Sequence, residues 1–110
     1  MGKEFDFKIA VLQHRDRVRS KKEMALVLGM SNSDLQRKFM QEFGEPVSVW
    51  LQKQKNRKIL SRLSFDSVSI KEIVHEFGFS SAASFNKYCK SNFGCNPTEL
   101  RKKIKEHKIE

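Results

Sequence analysis

Apolar residues recur every three or four positions along most of the chain, Gly and Pro are sparse, and β-branched runs are short. That periodicity predicts helices throughout and an all-α fold of about seven helices. A first helix is expected over 6–17, with Phe7 and Val11 facing inward and Ile9 and Val18 as further inner candidates. After it the chain spells one clause twice: "SKKEMALVLGMS" from Ser20 and "SIKEIVHEFGFSS" from Ser69. Each copy opens with Ser-x-x-Glu, Ser20 with Glu23 and Ser69 with Glu72. In such a capping box the hydroxyl and the carboxylate satisfy each other's free backbone N–H groups at a helix start.

Each box should launch a helix of about two turns, over 21–28 and 70–77, stopped by Gly29 or Gly78, where a left-handed terminal position suits glycine. Past the glycine, an apolar residue (Met30 or Phe79) precedes a second N-cap, Ser31 or Ser81, with Asp34 or Ser84 three positions on. A short glycine-bearing turn between two helices is the signature of a helix-turn-helix. The second helices carry apolar stripes at i, i+4, i+8, namely Leu35, Phe39 and Phe43, then Phe85, Cys89 and Phe93. Both stripes end in Phe-Gly and are followed shortly by Pro46 or Pro97, each able to open the next helix at its first position. The second copy has one extra turn residue.

A single helix is expected over 46–63, apolar at one end through Val47, Trp50 and Leu51 and at the other through Ile59, Leu60 and Leu63. Its middle, "QKQKNRK", is polar all round, as suits a strut with a wet waist. Eighteen residues at the α-helical rise span about 27 Å, to be compared with the roughly 34 Å between successive major-groove faces of B-DNA. The organisation predicted is a helix-turn-helix subdomain over 1–45, a linker helix over 46–63 and a second helix-turn-helix subdomain over 64–110.

Charge sharpens this picture. The 110 residues carry 22 Lys and Arg against 13 Asp and Glu, a formal net charge of +9, which makes a polyanion a reasonable partner. Basicity alone does not establish one, because a solvated charged face gives the same count. No apolar run approaches the roughly 18 residues of a membrane span, and the start lacks a signal peptide's apolar core, so a cytoplasmic, nucleoid-associated protein without membrane contact is expected. Cys89 and Cys95 have no zinc-ligand spacing, and His14, His75 and His107 have neither a cysteine nor paired carboxylates at ligand spacing. Reduced thiols, no metal, no cofactor and no catalysis are therefore expected.

In a helix-turn-helix the buried stripe of the second helix fixes its pose, and the opposite face near its N-terminus meets base edges. That face offers Asn32, Ser33, Gln36 and Arg37 in the first copy. Arg can take guanine O6 and N7 bidentately, and Gln can do the same for adenine N6 and N7. The second copy offers Ala82, Ala83, Ser84, Asn86, Lys87 and Lys90; two alanines shorten its reach, so a weaker or more backbone-directed reader is expected. Lys38, Lys53, Lys55, Arg57, Lys58 and Lys90 are candidate phosphate contacts, as is the helix start at Pro97 and Thr98 through exposed N–H groups and the helix dipole. Trp50, Phe43, Phe77, Phe79 and Phe93 have the aromatic character of stacking platforms, but their helical spacing assigns them to the core.

The segment "IKEIVHEFGFSSAASFNKYCKSNFGCNPTELR" resembles the signature of the AraC/XylS family of bacterial transcription regulators. Ile73, Gly78-Phe79, Ser80, Phe85, Lys87, Phe93-Gly94, Pro97 and Arg101 fall at its marked positions, and Gly29, Ser31, Leu35, Gln36, Arg37, Phe39 and Gly44 agree in the first half. The resemblance covers roughly residues 7–103. It implies two helix-turn-helix units joined by one long helix, promoter binding with both recognition helices in successive major grooves of double-stranded DNA, and RNA polymerase as a candidate partner. Ser33, Gln36 and Arg37, then Ala82, Ala83, Asn86 and Lys87, occupy the base-contacting positions it implies. Val74 and Ile59 stand where the family usually has Ala, and Cys89 where it usually has Phe, a pattern of compensating volumes. Most members carry a separate effector-binding or dimerisation domain, for which this length leaves no room. The chain is then expected to be either a short stand-alone activator or an excised C-terminal domain, and the Met1-Gly2 start, followed directly by helix residues, favours excision.

Overall fold

The computed structural model of the chain describes residues 6–107. Its seven helices there are α1 (Phe7–His14), α2 (Lys21–Leu28), α3 (Asn32–Phe43), α4 (Val47–Leu63), α5 (Ile70–Glu76), α6 (Ala82–Phe93) and α7 (Pro97–His107), with no strand among the described residues. Met1 and Gly2, on which the expectation of an excised domain partly rests, lie outside the described residues. The chain divides into two compact units, Met1–Gln54 and Lys55–Glu110, and the division falls inside α4.

In the first unit, α1 is shorter than its sequence pattern suggests. Asp6 caps it by accepting from the Ile9 N–H at 3.1 Å, and the helix stops at His14. Phe7 and Val11, one turn apart, take the inward face, whereas Ile9 lies about 200° round the helix from Phe7 and is 53% exposed, contrary to its expected inward position. Val18 is buried as expected, although it follows the helix. Leu35 and Phe39 are fully buried, and Phe43 stacks on Phe39 with ring centroids 4.3 Å apart. Phe7 and Trp50 close on that stack edge-on. Edge-to-face and stacked contacts of this kind add about 0.5–1.5 kcal/mol each beyond area burial. The ring of Trp50 is therefore core, not a stacking platform for bases.

The second unit builds its core from Ile59, Leu63, Ile73, Phe85, Cys89, Cys95, Leu100 and Ile104, with Phe77, Phe79 and Phe93 packed against it. Ile59 and Cys89 are fully buried in this one core and Val74 is half-buried against it, so all three departures from the family pattern fall in the same packing problem. Arg101 closes the α4–α5 connection: its Nε donates to the Leu63 carbonyl at 2.9 Å, and one Nη donates to the carbonyls of Phe65 and Val68.

The two capping boxes differ. At Ser69 both arms form: Ser69 Oγ accepts from the Glu72 N–H at 3.0 Å, and Glu72 Oε1 accepts from the Ser69 N–H at 2.8 Å. The Ser69 N–H donated to it, and next the Ser69 hydroxyl, hold the pKa of the Glu72 carboxyl below its ordinary value. At Ser20 only the hydroxyl arm forms, at 3.1 Å, and Glu23 reaches one residue further back to the Arg19 N–H at 2.7 Å. The cap residues also differ in backbone, with φ −141° at Ser20 against −77° at Ser69.

The prolines are also not equivalent. Pro97 is the first residue of α7, but Pro46 lies just before α4 and its carbonyl accepts from the Trp50 N–H at 3.1 Å. The positional equivalent of Pro46 is Asn96, whose carbonyl accepts from Leu100 and whose Oδ1 accepts from the Glu99 N–H at 2.8 Å. The helix starts at Val47 and Pro97 thus keep the repeat register that the prolines break.

Candidate nucleic-acid interface

Each unit builds the same local device. In the first, Gly29 takes φ +68° and the Met30 N–H reaches back to the Ala25 carbonyl at 2.9 Å; in the second, Gly78 takes φ +73° and the Phe79 N–H reaches the Val74 carbonyl at 3.0 Å. This six-residue back-bond closes the first helix and aims the chain into the next one. Ser31 and Ser81 then cap α3 and α6, accepting from the N–H groups of Asp34 and Ser84 at 3.1 Å each. The extra turn residue of the second copy is Ser80, whose hydroxyl pairs with that of Ser84 at 2.8 Å.

Burial of Leu35 and Phe39 fixes the rotation of α3, and the opposite side carries Asn32, Ser33, Gln36 and Arg37, all exposed. Ser33, Gln36 and Arg37 have i, i+3, i+4 spacing and line one shallow open depression. Two of them are held locally. The Arg37 guanidinium pairs with Asp34 at 2.9 Å, and Gln36 Oε1 accepts from the Lys21 ammonium at 3.2 Å. Lys38 is half-buried on the flank.

Burial of Phe85 and Cys89 does the same for α6, leaving Ala82, Ala83, Asn86, Lys87 and Lys90 exposed. Asn86 follows Ala82, and Lys87 follows Ala83, by one turn. No acidic side chain stands in the first turn of α6, whereas Asp34 stands in that of α3, so Lys87 has no counterpart to the Arg37–Asp34 pair within that turn.

Other candidate cations are placed differently from one another. Arg57 is exposed and Lys58 half-buried. Lys53 is exposed but pairs with Glu45 at 2.8 Å. The Lys55 ammonium sits 4.6 Å from the Phe79 ring centroid and 4.9 Å from that of Tyr88, a cation–π position on the second core. At α7, Pro97 is fully buried and has no N–H, and the Glu99 N–H is occupied by Asn96. Of the first three helical residues only Thr98 has an N–H to offer, and Glu99 adds a negative charge in that first turn.

Sequence periodicity misses one cluster here. Asn56, in the supposedly wet waist of α4, accepts from the Tyr88 hydroxyl at 2.5 Å and donates to Asn92 Oδ1 at 3.2 Å, and Asn92 donates to the Tyr88 carbonyl at 3.0 Å. Burial pushes the Tyr88 hydroxyl above its ordinary pKa, with the neighbouring Cys89 adding to the shift. A polar run between apolar ends gives no signal that Gln54, Lys55, Asn56 and Lys58 within it are half-buried.

Among the described residues no helix is long and apolar enough to cross a membrane. A family model described as a helix-turn-helix domain matches residues 24–103. No curated protein and no solved structure gives a match. The matched span takes in both glycine turns, the exposed polar faces of α3 and α6 and all of α4, so the chain belongs to the helix-turn-helix domain family of AraC/XylS type, a family of DNA-binding modules of transcription regulation and not an enzyme family.

Proposed function

We propose that this module reads specific sequences in double-stranded promoter DNA, with α3 and α6 entering successive major grooves on one side of the duplex. The observation that carries the reading is the repetition itself: two capped glycine turns each lead into a helix rotated by its buried stripe so that a polar face near the N-terminus is exposed. The continuous α4, 17 residues or about 26 Å long, supplies a connection on the scale of a groove spacing.

In this reading Ser33, Gln36 and Arg37, with Asn32 at the helix start, make the principal base contacts. Asn86 and Lys87 make the second set, Ala82 and Ala83 offering methyl contact to thymine. Lys38, Lys53, Arg57, Lys58, Lys90 and the Thr98 N–H serve the phosphates. Lys55 is reassigned to holding Phe79 and Tyr88. RNA polymerase is a candidate protein partner for this role at a promoter, and the nucleoid the corresponding location.

Selection of bound duplexes from a random pool tests the proposal. It should recover two short boxes about 10 base pairs apart. Binding without enrichment, set only by salt, would make the chain a non-specific nucleic-acid binder; no duplex binding at all would make it a helical protein-interaction domain.

A further inference from the structure

We infer that the connection between α1 and α2, together with the first two residues of α2, is a phosphate clamp, gripping the sugar-phosphate backbone beside the groove that α3 enters. The inference rests on the DNA-binding role but not on which bases are read. Residues 14–22, "HRDRVRSKK", hold five Lys or Arg against one acid, Asp16, in a chain whose whole net charge is +9. Nearly half of the molecule's net positive charge therefore sits in about a twelfth of its length. Arg15, Arg17, Arg19 and Lys22 are all exposed.

A charged run on a floppy loop would be an ordinary solvated surface. This one is built. The N–H groups of Arg17 and Val18 both donate to the His14 carbonyl, at 3.0 and 3.1 Å, turning the chain out of α1. Val18 is buried in the first core and acts as an anchor, so Arg17 and Arg19 flank a fixed point. The Arg19 N–H is taken by Glu23 at 2.7 Å, and Ser20 caps α2. Fixing the backbone in the free protein lowers the ordering cost on binding.

The placement matters as much as the order. Lys21, within the segment, donates to Gln36 on the exposed face of α3, so the clamp borders the candidate reading face of the same unit. In a helix-turn-helix docked through its second helix, the first helix crosses the backbone. The segment that leads into α2 then meets phosphates, and guanidinium groups suit phosphate oxygens by their forked geometry. Such contacts position the protein and carry no sequence information.

The test uses the full chain with Arg17 and Lys22 both changed to Gln, titrated against a fixed duplex over a range of salt concentrations. A random-sequence duplex serves if selection yields no site, which separates failure of this inference from failure of sequence reading. Loss of two contacts should reduce the slope of log K against log salt by about 2, at roughly 0.9 per phosphate. Base preference should be unchanged, and ethylation interference should vanish at phosphates beside the first box only. Arg17→Lys with Lys22→Arg should retain the slope, and Lys22→Gln alone should show about half the change if the double variant melts early. An unchanged slope and interference pattern in a folded variant would overturn the clamp and leave these charges as solvated surface.

Discussion

The Lys21 ammonium, at the first position of α2, donates to the side-chain oxygen of Gln36 on α3 at 3.2 Å. An ammonium has only donors, so it meets the amide oxygen and takes up one of its two lone pairs, while the amide N–H pair takes no part in that bond. Bidentate adenine reading needs that oxygen; guanine and thymine offer acceptors to the N–H pair alone. Lys21→Met should therefore shift the preference at the base pair facing Gln36 from G or T toward A in a selection experiment. An identical recovered site for both proteins, with Gln36→Ala relaxing the position, would show that Lys21 does not orient the amide.

Arg37 pairs with Asp34 across one turn, both side chains largely exposed. Exposed pairs of this kind are worth at most about 1 kcal/mol, so Asp34 gives up the guanidinium readily to a guanine. Arg37→Ala should weaken binding to the selected site by about 1–3 kcal/mol and relax one base pair. Uniform weakening across all sequences, measured by fluorescence anisotropy, would move Arg37 to the phosphates.

At Gly29 the backbone stands at φ +68°, and a Cβ built there meets nothing within 4 Å. The cost of Gly29→Ala is then conformational rather than steric, about 1 kcal/mol. A fall in melting temperature of roughly 4–8 °C is expected for a domain of this size, with Gly29→Asn losing less. Circular dichroism melts check it, and DNA affinity well below the midpoint should be retained.

Arg101 bridges three carbonyls of the α4–α5 connection with one guanidinium. Arg101→Met strands those acceptors and should cost about 2–4 kcal/mol in urea denaturation. Arg101→Lys should recover less than half, because one ammonium cannot reproduce the fork.

Cys89 is fully buried, and burial pushes its thiol up to about 11 from an ordinary 9.0, with Cys95 adding to the effect. The folded state thus keeps a proton that the unfolded state releases. Stability from this group is intact below pH 9 and is lost as pH rises from about 9 to about 11. Between those values wild type should lose on the order of 2–3 kcal/mol more than Cys89→Ala. Parallel alkaline stability curves for the two proteins would contradict that account.

Much of this was written in local chemistry. Ser20, Ser31, Ser69 and Ser81 name the helix starts, Gly29 and Gly78 the stops, and the i, i+4 stripes through Phe39 and Phe85 the buried faces, because each acts within one or two turns of itself. These features determined an all-α, duplicated helix-turn-helix and placed Gln36, Arg37, Asn86 and Lys87 on its exposed faces. Contacts between residues distant in sequence were decided only by tertiary packing. The reach of Lys21 to Gln36, of Lys55 to Phe79, of Asn56 to Tyr88 and of Arg101 to three carbonyls depends on how helices pack. Periodicity records which side of a helix is apolar; it does not record which polar side chain on the other side finds a partner, since that choice is made by a neighbour tens of residues away.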